Sequence, residues 1–372
     1  MGDILVTVRA YYFCSDCRQG FCPKDYTLGL AESSLSPGVT RMVSLVASEG
    51  PFMEGAMLLH ELAALDVSEK CVERTARKIG AAIIQDEATV VNEKQNRSTT
   101  VYVGVDGTGI PMRSDELSGR DGKQPDGSAK TREVKECVVW TADSRDEKGN
   151  PVRDPGSVSY SAAIESCSWP RTGMSDEVPP FASRVERELT RTGYYRAPCQ
   201  VFLGDGAPWI WNLAEMIAPG AIQIVDLFHA KEHLSLLANA IFSHGTDLAK
   251  QWALEQHSAL ESGQLDLVLI AIANHKTRSG EIGQKADLEF DYFYNNRKRM
   301  RYDYFRSLGL CVGSGVVEAG CRVVIGQRLK RSGMFWSLPG ANAITALRCC
   351  FLSHRFNDFW HRYMSSLKSR LA

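Results

Sequence analysis

Apolar positions recur at helical spacing in the first and last parts of the chain and at strand spacing in its middle. Residues 38 to about 98 read as helical, one amphipathic run ending at "LDVS" and a second carrying Val67, Cys71, Val72, Thr75 and Ile79 on one stripe. Asp66 followed by Glu69 has the spacing of a capping box for that second helix. "STTVYVGVDG", "REVKECVVWTADS" and "SVSYSAAIES" then have strand composition, separated by polar, glycine-bearing loops, and predict consecutive antiparallel strands. A helix is expected over 179 to 193, with Val185, Leu189 and Tyr194 turned inward. "CQVFLGDGAPWIWNLAEMI" and "AIQIVDLFHAKEHL" each run strand, acid, helix, which points to parallel strands with crossovers and hence to a mixed sheet. Residues 230 to about 305 look helical throughout, too long for a loop. A last helix is expected to start near Gly315 and stop at Gly333.

Composition narrows the class. At 372 residues the chain exceeds the usual single-core size, and its 44% hydrophobic and 23% charged residues are those of a globular protein. No window approaches a membrane span and no signal peptide is evident, so a cytoplasmic protein with reduced thiols is expected. Cys14 and Cys17 have the C-x-x-C spacing of one zinc-ribbon knuckle, half of a Zn²⁺ site; the nearby Cys22 does not make a second pair. The formal net charge of -1 hides an asymmetry: from Arg297 onward there are 14 Lys and Arg against 3 Asp and Glu. A basic C-terminal part with interleaved aromatics fits either solvated helix faces or a surface for a polyanion.

Chemistry gathers at acids. Asp106, Asp205 and Asp226 each end an apolar strand-like run, and Asp106-Gly107 reads equally as a hairpin turn or as a ligand position. Several such acids on neighbouring strands would meet at one sheet edge, where crowded carboxylates need protons or hard cations such as Mg²⁺ or Mn²⁺. Glu318, among small residues in "GSGVVEAG", is a further candidate. His229 is either structural or a phosphate contact. Arg74, Arg77 and Lys78 lie on the second N-terminal helix of a pair that is helix-turn-helix-like or a plain helical pair. Arg322, Arg328, Lys330 and Arg331 are candidate DNA-backbone contacts, Trp336 a candidate base-stacking residue, and Trp209 and Trp211 core anchors. An ion pair between Glu318 and Arg322 is the alternative for that arginine.

"VGVDGTGIPMR", "LGDGAPWIWNLAEMI", "VDLFHAKEHL" and "GSGVVEAGCRVVIGQRLKRSGMFWS" together resemble the ISKra-type bacterial insertion-sequence transposases, DDE enzymes related to the Mutator superfamily. The resemblance covers nearly the whole chain, "YYFCSDCRQGFCPKDYTLGL" included. It implies an α/β, RNase H-like mixed sheet with an all-helical insertion, a catalytic triad of Asp106, Asp205 and Glu318 holding two Mg²⁺ or Mn²⁺ ions, and Asp226 and His229 as an Asp-x-x-His motif. The expected organisation is a partial zinc ribbon over 1–34, a helical DNA-binding unit over 35–98, and a catalytic core over 99–229 and 306–372 split by an insertion over 230–305. The implied activity is phosphodiester hydrolysis at transposon ends and strand transfer into target DNA, by an oligomer of this chain on double-stranded DNA and away from membranes. The family's ribbon has an earlier cysteine pair. A truncated, catalytically idle DNA-binding remnant and a generic RNase H-like metal nuclease are therefore the alternatives.

Overall fold

In the computed structural model of the chain, residues 8–30, 35–89, 98–122, 124, 127–168, 178–276, 280–313 and 315–369 are described. The end of the expected N-terminal helical stretch, 90–97, lies outside them. Five strands form the central sheet: β1 (Thr100–Pro111), β2 (Thr131–Thr141), β3 (Ser159–Ala163), β4 (Cys199–Gly204) and β5 (Ile222–Val225), in the order β3-β2-β1-β4-β5. β1, β2 and β3 pair antiparallel, while β1–β4 and β4–β5 pair parallel. The mixed sheet read from the sequence is thus present. β-rich composition and full burial of both faces around Val101, Val103, Val138 and Val201 explain why the runs read as continuous apolar stretches.

After a short helix over Pro23–Leu28, three longer ones precede the sheet, α1 (Pro37–Glu49), α2 (Phe52–Ala63) and α3 (Glu69–Thr89). Gly50-Pro51 separates α1 from α2, the first amphipathic run, because proline cannot donate to a continuing helix and starts one well. The expected capping box does not form: Ser68 Oγ accepts from the Cys71 N–H at 3.3 Å, and Asp66 instead bonds His60 Nδ1 at 2.7 Å. These helices share one apolar core with the sheet. α3 crosses α11 (Leu338–Leu352) so closely that a Cβ on Gly80 would lie 2.1 Å from the Ala343 carbonyl. A buried network locks the same region: Arg355 bonds Glu188 at 3.0 Å and Glu87, on α3, at 2.9 Å, while Arg191 bonds Glu188 at 2.5 Å.

After β3, α4 (Pro180–Arg191) covers the sheet with Val185 and Leu189 fully buried, and Tyr194 follows them, as the spacing predicts. α5 (Pro208–Ile217) links β4 to β5. The helical block then runs α6 (Leu227–Phe242), α7 (Asp247–Glu261), α8 (Leu265–Lys276) and α9 (Glu281–Asn296). The chain returns through α10 (Gly315–Gly320), which continues as a π-helical turn over Cys321–Gly326, where the sequence predicts an unbroken helix. α12 (Phe356–Ser369) closes the described chain. No described helix is long and apolar enough to cross a membrane.

Candidate active site

Asp106 owes its place to where pairing stops. β1 and β4 pair in parallel from Thr100–Cys199 to Gly104–Leu203, whereas β1 continues antiparallel to β2 as far as Pro111–Thr131. Past Gly104 one side of β1 is open, and Asp106 stands at that opening in mid-strand. The hairpin-turn alternative is overturned, since Gly107 continues the ladder opposite Lys135. Asp205 and Asp226 follow β4 and β5 directly, at the C-terminal ends of parallel strands. Glu318 is brought in by α10, which packs directly over β1. A Cβ on Gly104 would sit 2.2 Å from Val317 Cγ2, so only glycine there admits the helix at this depth.

Asp106, Asp205, Asp226, His229 and Glu318 line one cleft of about 110 Å³, together with Val105, Leu203, Gly204 and Val317. Asp106 Oδ1 accepts from the Gly107 N–H at 2.6 Å, and Oδ2 faces the Cys321 thiol at 3.3 Å. Asp205 Oδ1 accepts from the Ala207 N–H at 2.8 Å. Burial holds the Asp106 carboxyl above its ordinary range; Asp205 adds to this by like charge, and Gly107, Cys321 and His229 oppose it. Asp226 is buried and turned into its own helix, accepting from the His229 N–H at 2.9 Å as the N-cap of α6. Glu318 is exposed on the cleft wall.

In donor chemistry the cleft suits a hard divalent cation, because Asp106 and Asp205 both offer carboxylate oxygens, and Asp205 is close enough for its charge to raise the proton affinity of Asp106. Among the described residues, however, no three Asp, Glu, His or Cys side chains stand together as a ready ligand set. The same holds at Cys14 and Cys17. Both are exposed free thiols on a small hairpin (Tyr12–Phe13 with Gly20–Phe21), and hydrogen bonding from the Cys17 backbone and side chain lowers the Cys14 pKa.

Three residues near the cleft escaped the sequence reading. Glu136 lies directly across the ladder from Asp106, is fully buried, and neither carboxylate oxygen has a hydrogen-bond partner of ordinary strength. The weakly donating Cys321 thiol lies between the two acids; burial, against that thiol and with the Asp106 charge adding, pushes Glu136 up to about 8. An acid in the period-two row Val134, Val138, Trp140 was the available signal. Tyr292 on α9 donates to the Asp205 carbonyl at 2.7 Å and stacks on His233 with ring centres 4.0 Å apart, and His233 in turn lies edge-on to His229. Gly206, at φ +103°, leaves the room that Tyr292 occupies.

The candidate DNA contacts divide. Arg74, Arg77, Lys78, Arg322, Lys330 and Arg331 are exposed. Arg322 forms no ion pair with Glu318, because the π-helical turn shifts the i,i+4 spacing. Arg328 and Trp336 are corrections: both are buried. Arg328 Nε donates to the Ala47 carbonyl at 2.8 Å between the rings of Phe52 and Trp336, and Trp336 Nε1 donates to the Leu329 carbonyl at 3.0 Å. Trp211 is a core residue as expected, with Trp209 half-buried beside it.

No protein-family model and no curated protein matches the chain. Among solved structures it is similar to a Drosophila P element transposase strand transfer complex, at 12% identity and a TM-score of 0.30, over 94% of this chain and 86% of that one. A likeness at that score carries no argument about function.

Proposed function

We propose that the chain is a metal-dependent polynucleotidyl transferase of the DDE type on an RNase H-like core, acting on double-stranded DNA. One observation carries the reading: residues from β1, the turns after β4 and β5, and α10, far apart in sequence, line a single small cleft, and they are the five that the transposase resemblance singles out. The strand order β3-β2-β1-β4-β5, with a helical block between β5 and α10, supports the same reading.

Asp106, Asp205 and Glu318 would hold the cations, which when bound supply Lewis-acid activation of a water or a DNA 3′-hydroxyl and stabilise the leaving oxygen. The chain's own groups prepare that site. Backbone N–H groups of Gly107 and Ala207 each fix one oxygen of an aspartate, and the second oxygen of Asp106 faces only the weakly donating Cys321 thiol. Tyr292 holds the Asp205 turn from behind. His229, within electrostatic reach of Asp106, offers a donor to a phosphate oxygen. Glu318, exposed on its helix, completes the set by side-chain rotation or a shift of α10.

The absent ready-made triad favours a second reading, an idle DNA-binding remnant. Incubation of labelled duplex DNA with Mg²⁺ or Mn²⁺ separates the two. Cleavage that vanishes in Asp205→Asn supports the transferase, and joining of a pre-cleaved 3′-end separates it from a plain nuclease. Purified protein that leaves DNA intact with either ion would favour the remnant. Duplex DNA as partner, assembly of copies on it and a nucleoid location belong to the same proposal.

A further inference from the structure

A groove of about 700 Å³ runs between the start of α2 and the loop after the π-helical turn, with Phe52, Arg77, Arg113, Arg331 and Phe335 on its walls and Arg328 in its floor. Arg328 is fully buried, yet its Nη2 has no hydrogen-bond partner. Its charge is also poorly matched. Burial and the neighbouring guanidiniums of Arg348 and Arg331 lower its pKa to about 10, opposed by Glu54. A buried guanidinium without an anion is costly, and a ligand that brings one relieves that cost.

The rim carries three further cations and an aromatic ring. Arg77, Arg113 and Arg331 are exposed, and Phe335 is 68% exposed. Glu54, Glu69 and Glu73 lie among them, Glu54 bonding Arg331 at 3.0 Å and Glu73 approaching Arg77 at 3.5 Å, while Asp115 approaches Arg113 at 3.7 Å. Pairs this exposed contribute little and exchange readily for phosphate. The groove is tied to the acidic cleft by β1 itself. Trp336 N–H donates to the Pro111 carbonyl at 3.2 Å, Arg113 N–H to the Trp336 carbonyl at 3.0 Å, and Lys330 bonds Thr108, two residues beyond Asp106. From Asp106 to Pro111 the strand advances about 17 Å, the length of about five base pairs.

We propose that this groove holds the phosphate backbone of a polynucleotide strand that continues into the Asp106 cleft, with Arg113 and Arg331 on its phosphates and Phe335 against an unpaired base. The inference rests on reading the cleft as a phosphodiester site, and it adds where the strand lies outside that cleft.

Fluorescence anisotropy with a labelled duplex carrying a single-stranded end, measured in EDTA over a range of salt, tests it. The double variant Arg113→Ala, Arg331→Ala weakens binding about tenfold or more and lowers the salt slope by about two. Glu54→Gln, which frees Arg331, tightens binding, an effect that a purely structural role for this ion pair does not produce. Phe335→Ala weakens binding of the ended duplex more than of a blunt one. Unchanged affinity in the double variant, or no tightening with Glu54→Gln, overturns the proposal. No cation is present, so groove-dependent binding without later Mg²⁺ cleavage counts against the cleft alone. Cleavage with groove-independent binding counts against the groove alone.

Discussion

The hydroxyl of Tyr292 donates to the main-chain carbonyl of Asp205 at 2.7 Å, so a helix of the block that follows β5 fixes the turn that presents a cleft aspartate. Tyr292→Phe keeps the stack on His233 and removes only this bond, worth about 1 kcal/mol. Turnover of DNA cleavage is expected to fall roughly five- to tenfold. Thermal stability changes little, and KM stays near the wild-type value. Steady-state kinetics with Mg²⁺ checks this, and an unchanged kcat refutes the positioning role.

Gly104 sets the depth at which α10 meets the sheet. Gly104→Ala drives a methyl into Val317 and is expected to cost about 1–3 kcal/mol by overpacking, with loss of cleavage as Glu318 is displaced. Adding Val317→Ala makes room for the new methyl and restores most of the activity. Failure of this rescue, with the double variant folded, would show that α10 does not carry the acid into the cleft.

Glu136 predicts a pH dependence of stability in metal-free protein. Its folded pKa, about 8, lies above the ordinary 4.5, so the folded state binds more protons than the unfolded one between these values. Stability contributed by the neutral acid is therefore present below about 4.5 and is lost as pH rises through 8. Glu136→Gln keeps the neutral shape and removes this loss. Urea melts in EDTA should show it roughly 1–3 kcal/mol more stable than wild type at pH 9 and nearly equal at pH 4.5. A wild-type difference that does not vary with pH would sink the idea.

Glu188 sits fully buried between Arg355 and Arg191. Glu188→Ala leaves both guanidiniums buried without their shared anion and is expected to cost about 3–5 kcal/mol. Chemical denaturation measures it. A loss under 1 kcal/mol would mean that Glu87 and water take over.

Strand periodicity and the strand-acid-helix repeats were enough to read the mixed sheet, the helical block after it and the strand-end places of Asp205 and Asp226, because these follow from local patterns. Asp106 was harder. Asp-Gly has ordinary turn chemistry, and only the pairing with β2, which continues past it to Pro111–Thr131, shows that the strand runs on. Glu136 showed only as an acid in the buried period-two row of Val134, Val138 and Trp140, and Tyr292 and Cys321 belong to the site through tertiary contacts that no spacing encodes. Arg328 and Trp336 failed as surface contacts for the same reason: a charge run does not say which of its members faces inward. The π-helical turn at Cys321–Gly326 likewise has no local signature in "CRVVIG".

Binding of Mn²⁺ tests the central claim without requiring a particular DNA sequence. Electron paramagnetic resonance of wild-type protein titrated with Mn²⁺ should show saturable binding, weakened at least tenfold by Asp106→Asn and by Asp205→Asn, with circular dichroism unchanged. Binding that is equal in all three proteins, or absent from the wild type with and without duplex DNA, would contradict a cation-holding role for the cleft.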